Sequence, residues 1–175
     1  MAFDRSADFD LGALYAALDA QRLARGISWQ QVVREINALF EHVPARPISS
    51  STVTGMRNRA AIEGNGVLQM LLWLNRTPES FVPGYQEAAA EALGLPYVGP
   101  HQILRFDTRK LYSALDAQRI ERGMTWKQVA SEIGGFSAAS LTLLSKGGLT
   151  SFPHVMRIIR WLGRPAVSFT RISDR

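Results

Sequence analysis

The chain has 175 residues, of which 46% are hydrophobic, 20% charged and 9% aromatic, with no cysteine; this composition predicts one ordinary folded domain or two small ones and removes disulfides, thiolate metal sites and thiol nucleophiles. The net charge of +5 is uneven, with eight basic and eight acidic residues in 1–84 against twelve and five in 104–175. A basic C-terminal half predicts an acidic partner, nucleic acid foremost.

The opening MAFDRSADFD is acidic and polar, and no apolar stretch approaches the roughly 18 residues of a membrane span. We therefore expect no leader, no membrane partner and a cytoplasmic location. Sliding the sequence on itself exposes a duplication: residues 9–36 match 106–133 at 17 of 28 positions, and 67–81 face 155–169. The first offset is 97 and the second 88, so the first copy carries nine extra residues within NALFEHVPARPISS. This predicts a domain over 1–84, a linker over 85–105 with a short helix in QEAAAEAL, and a second domain over 106–175.

Each copy reads as helices in the same order. Leu11, Leu14, Tyr15 and Leu18 recur at helical spacing, with Asp10 as N-cap and Gly26 as stop; Asp107, Leu111, Leu115 and Gly123 mirror them. A second helix opens on Ser28 with Gln31, and on Thr125 with Gln128, at the spacing of a capping box. Its inward stripes are Trp29, Val32, Val33, Ile36 and Trp126, Val129, Ala130, Ile133. A short third helix begins near Ser49 and Ser137, burying Val53 with Met56 and Leu141 with Leu144. Pro44 and Pro47 predict an extended loop before it in copy one.

The sequence EGNG at 63–66 reads as a turn. A fourth helix over 66–76 and 153–163 is apolar nearly all round, so a second face should be covered. Leu72 and Trp73, with Ile158 and Trp161, are expected to cross between the copies. Thr77 and Pro78 open a short closing helix through Phe81. The fold class expected is all-α, in two tandem bundles of about five helices each.

A capped helix, a turn, a short polar-faced helix and flanking apolar helices form a unit that resembles the lambda-repressor/Cro-like helix-turn-helix family, often called XRE. RGMTWKQVASEIGGFSAASLTLLSKG is similar to that family's second helix, turn and third helix, and RIIRWLGRPAVSF to its fourth helix and closing turn. The resemblance implies a transcriptional regulator that binds double-stranded DNA in a sequence-specific way, its third helix entering the major groove. The readers it implies are Ser50, Ser51, Thr54, Arg57, Asn58 and Arg59 in copy one. In copy two they are Ala138, Ala139, Thr142 and Lys146, with Leu143 beside them. Gln30 and Lys127, at the starts of the second helices, are placed for phosphate. Copy one is then the better reader of bases, and basic copy two the supplier of phosphate affinity.

His42, His101 and His154 are scattered and no Ser/His/Asp grouping is visible, so no metal, cofactor or catalysis is expected. The rival expectation is a helix-turn-helix scaffold for protein interaction, an antitoxin or an adaptor, with a second copy or another protein as partner.

Overall fold

A computed structural model describes residues 8–58, 62–84, 94–148 and 151–174. The predicted linker helix and Arg59 lie outside the described residues. The chain is mostly helical. Copy one holds α1 (Leu11–Ala24), α2 (Trp29–Ala38), α3 (Ser50–Gly55), a 3-10 turn over Met56–Asn58, α4 (Gly64–Leu74) and a closing 3-10 turn over Pro78–Phe81. Strand β1 (Ile103–Phe106) follows. Copy two holds α5 (Thr108–Glu121), α6 (Trp126–Ile133), α7 (Ala138–Thr142), a 3-10 turn over Leu143–Lys146, α8 (Phe152–Leu162), a closing 3-10 turn over Ala166–Phe169 and strand β2 (Thr170–Ser173). Among the described residues no helix is long and apolar enough to cross a membrane.

The caps explain the helix starts. The carboxylates of Asp10 and Asp107 accept from Ala13 N (2.9 Å) and Lys110 N (3.0 Å), and the hydroxyls of Ser28 and Thr125 accept from Gln31 N and Gln128 N. Each satisfies an orphan donor of the first turn. The reciprocal capping box closes in copy two, where Gln128 Oε1 accepts from Thr125 N. In copy one it does not: Gln31 instead donates to Glu35 and accepts from Arg34.

One framework is built twice. Arg25 forks onto Glu35 (2.6 and 2.9 Å) while Trp73 Nε1 donates to the same carboxylate (3.0 Å). Arg122, Glu132 and Trp161 repeat this in copy two. The indoles expected between the copies are thus directed to carboxylates of their own copies, which supply the acceptor that a half-buried indole N–H needs. Leu72 is half-buried and lines a cavity with residues 94–98, while Ile158 is fully buried. Trp29 and Trp126 are half-buried, stacked on Tyr15 and Tyr112 at 5.3 Å and covered by the guanidinium groups of Arg22 and Arg119.

The all-α expectation holds for most of the chain, and β1 and β2 add one small sheet to it, pairing antiparallel from Ile103 with Ser173 to Phe106 with Thr170. The last residues of the expected linker are therefore part of this sheet. Four-residue strands leave no periodic signal of their own; each exists because the other, far away in sequence, completes its hydrogen bonds. The EGNG turn is corrected too, since α4 already begins at Gly64. The insertion of copy one forms turns over residues 39–44 before an irregular stretch, and its Phe40, Val43 and Ile48 are buried. Asn37 holds it down, donating to Ile48 O (2.8 Å) and accepting from Ile48 N (2.9 Å).

The copies meet about a local two-fold axis. Helices α4 and α8, equivalent at offset 88, pack on each other, and Glu63 pairs antiparallel with its own equivalent, Ser151. Contacts are reciprocal around that point. The segment before α1 crosses to copy two, where Asp8 pairs with Arg157 (2.7 Å) and the Phe9 ring lies 4.5 Å from Phe152. The segment before α5 crosses to copy one, where Leu104 O accepts from Gln69 Nε2 (2.6 Å) and Phe106 N donates to Asn65 Oδ1 (2.9 Å). Fully buried Glu79 completes the seam, its Oε1 accepting from Ala166 N (2.6 Å).

Candidate nucleic-acid interface

Helix α3 is anchored from below and polar above. Val53 and Met56 are buried, Ser49 Oγ caps Thr52 N (3.2 Å), and Ser51, Thr54, Arg57 and Asn58 are exposed while Ser50 is half-buried. The hydroxyl of Thr54 donates to Ser50 O (3.0 Å), which leaves its lone pairs directed outward as acceptors. Arg57 lies 5.6 Å over the Tyr15 ring, so the α1 aromatic supports its stem and fixes the direction of the guanidinium. Five of the six candidate readers of copy one thus share one short element and its 3-10 extension, the sixth being Arg59.

Helix α7 has the same anchors and a different face. Leu141 and Leu144 are buried, and Ser137 and Ser140 form a reciprocal capping box. Outside, Ala138 is half-buried, Ala139 exposed, and the Thr142 hydroxyl is turned back to Ala139 O (2.9 Å). Leu143 is 54% exposed and Lys146 is exposed at the end of the following turn. The side chains of Ala138, Ala139 and Leu143 can meet a thymine methyl but carry no hydrogen-bonding code, which leaves the Thr142 hydroxyl and Lys146 as the polar groups of this face.

Between α6 and α7 the chain turns through Gly134 and Gly135, both at φ near +78 (77° and 78°). A Cβ at Gly135 would run into the Arg157 guanidinium, which also donates to Gly134 O (3.4 Å). Arg157 therefore ties the copy-one arm, through Asp8, to the turn that sets α7. Gln30 and Lys127, each the second residue of its helix, are exposed, on helices that pack on α3 and α7 respectively.

The ionic framework behind these faces is structural. Arg25, Trp73 and Gln31 hold the Glu35 carboxyl at about 2, and Trp161 with Arg122 lowers that of Glu132. Burial, with the Arg157 charge beside it, lowers the pKa of His154, whose ring packs 5.1 Å from Phe136. Among the described residues no group of three or more His, Cys, Asp or Glu could hold a metal ion. The rings of His42 and His101 nonetheless lie 4.5 Å apart, a pairing that their separation in sequence hides.

Periodicity missed the residues that join the copies: Asp8, Asn65, Gln69, Glu79 and Arg157. A polar residue inside an apolar run was the available signal for Gln69, because such residues are retained where a buried partner awaits them; Glu79, between Pro78 and Ser80, left no such signal. It also missed Arg105, Arg109 and Arg171, which line a seam cavity with Lys146. Comparison with protein-family models, with curated proteins and with solved structures finds no match to this chain.

Proposed function

We propose that this chain is a cytoplasmic, sequence-specific double-stranded DNA-binding transcriptional regulator built from two tandem helix-turn-helix units that resemble those of the lambda-repressor/Cro-like family. In this reading α2 with α3, and α6 with α7, are the paired helices of the two units. The observation that carries it is the local two-fold pairing of equivalent elements, α4 on α8 and Glu63 on Ser151. Head-to-tail duplication would leave two units free to read direct repeats. A two-fold relation instead turns the α3 and α7 faces into an inverted pair, the symmetry of a duplex itself.

One chain then spans two half-sites of opposite orientation and different sequence. Copy one reads more of the bases, through Thr54 and Arg57, and copy two contributes phosphate contacts through Lys127 and Lys146. The test is selection from random duplex followed by a salt titration of the selected site. With ~6 phosphates neutralised, affinity falls by roughly three decades between about 50 and 200 mM salt. A flat salt response, or no binding of any duplex at low salt, overturns the reading.

Exposed Leu143 on the methyl-rich face of α7 favours a second reading, a scaffold whose copy-two face docks on protein. In that case Leu143→Ser abolishes partner binding and leaves duplex binding unchanged. Neither reading includes a catalytic step or a cofactor.

A further inference from the structure

Four cationic side chains converge on one cavity of about 610 Å3 at the seam: Arg105, Arg109, Lys146 and Arg171, together with Asn65 of copy one. Arg105 and Arg171 are direct cross-strand partners in the β1–β2 ladder, which places both side chains on one face of the sheet. Arg109 sits in the first turn of the 14-residue helix α5, against the positive end of its dipole, and no acidic residue occupies that turn. Lys146 ends the 3-10 turn that packs beside α5. Asp107, the one carboxylate among the described lining residues, is engaged as the cap of Lys110 N.

This charge belongs to copy two. The residues 97 positions before Arg105 and Arg109 are Asp8 and Gly12, and the residue 88 before Arg171 is Pro83. We propose that the cavity is a binding site for phosphate groups, one that takes two or more linked phosphates. A single carboxylate matches one guanidinium fork; three arginines and a lysine around a cavity of this size match the several oxygens and charges of a phosphate chain. Linked phosphates have two sources, the backbone of a nucleic acid and a free phosphorylated small molecule. The site does not rest on the DNA reading, since inorganic pyrophosphate alone tests it.

The experiment is calorimetric titration of the full chain with pyrophosphate at low ionic strength, in parallel with thermal unfolding. Saturable binding of one equivalent is expected. Arg109→Gln and Arg171→Gln should each weaken it by about tenfold or more, as expected when one charge-assisted hydrogen bond is removed. Arg46→Gln, which removes the same charge from an exposed loop of copy one, should leave it unchanged. Arg171 is exposed, so the ligand-free Arg171→Gln variant should unfold at the same temperature as the parent, which separates lost binding from lost folding. Absence of saturable binding, or equal weakening by Arg46→Gln, overturns the proposal. Displacement of pyrophosphate by random duplex assigns the site to the nucleic-acid backbone. Retention of pyrophosphate on the DNA-bound chain assigns it to a free phosphorylated ligand. If no duplex binds yet pyrophosphate does, the DNA reading fails and the site stands.

Discussion

Arg57 lies within the first 3-10 turn and Lys146 at the end of the second, where it aligns with Asn58, and the surroundings of the two cations differ. Arg57 is braced by Tyr15 within a set of exposed hydroxyls and an amide, so its guanidinium can pair in a fixed direction with a guanine edge. Arg57→Ala should reduce discrimination between the selected site and random duplex by about 1–3 kcal/mol. Lys146→Ala should weaken both by the same factor, since phosphate carries no sequence information. Paired affinity measurements on the two duplexes check this, and equal losses for Arg57→Ala would remove it as a base reader. A different residue-scale argument concerns Glu79, fully buried with one oxygen on Ala166 N. Glu79→Ala leaves that amide without a partner in a buried seam and should lower the unfolding free energy by about 1–3 kcal/mol, read from urea denaturation.

At the scale of elements, the Arg–Glu–Trp framework joins the first, second and fourth helices of each copy. Because Glu35 is held at about 2, below the ordinary 4.5 of an unfolded carboxyl, the folded chain keeps this group ionised to lower pH than the unfolded one. Its stabilisation is complete above the ordinary carboxylate range and is lost as pH falls from about 4.5 toward 2. Glu132, also lowered, acts in the same direction. The urea midpoint should therefore drop across that window, and Glu35→Gln should lower the midpoint at pH 7 while flattening the drop; an unchanged acid limb would show that the framework does not contribute.

Helices α1, α2, α5 and α6 were legible in the sequence because their caps and apolar stripes are local: Asp10, Ser28, Asp107 and Thr125 each cap within three residues. The anchors of α3 and α7 were legible for the same reason. The strands, the true start of α4 at Gly64, and the direction of Trp73 and Trp161 were not, since each depends on a partner distant in the chain. The seam cavity was hidden for a further reason, as its cations come from two strands, a helix and a turn that only tertiary structure brings together.

Across the whole molecule, duplication has produced a two-fold assembly inside one chain. The arm before each first helix packs on the fourth helix of the other copy, and Phe9, Phe106 and Phe152 form one buried aromatic cluster at the crossing. Burying such side chains is worth about 1.5–3 kcal/mol each, so cleavage of the peptide chain within 85–93 should leave the copies associated through gel filtration. Phe152→Ala, which removes the ring that both arms touch, should cost about 3–5 kcal/mol and separate the cleaved halves. A seam of this kind also sets the orientation of α3 relative to α7, which linker length alone would leave free. On the proposed DNA-binding reading, the consequence is directional. Given a selected duplex with two half-sites, reversing one half-site in place should cost that half its base recognition, about 1–3 kcal/mol for each mismatched base pair, while the phosphates stay engaged. Reversing the copy-one half-site should cost more than reversing the copy-two half-site, because α3 presents hydroxyls, an amide and a guanidinium where α7 presents mostly methyl groups beside one hydroxyl. Competition binding with the three duplexes measures both differences, and equal affinity for direct and inverted arrangements would show that the two faces act as independent units.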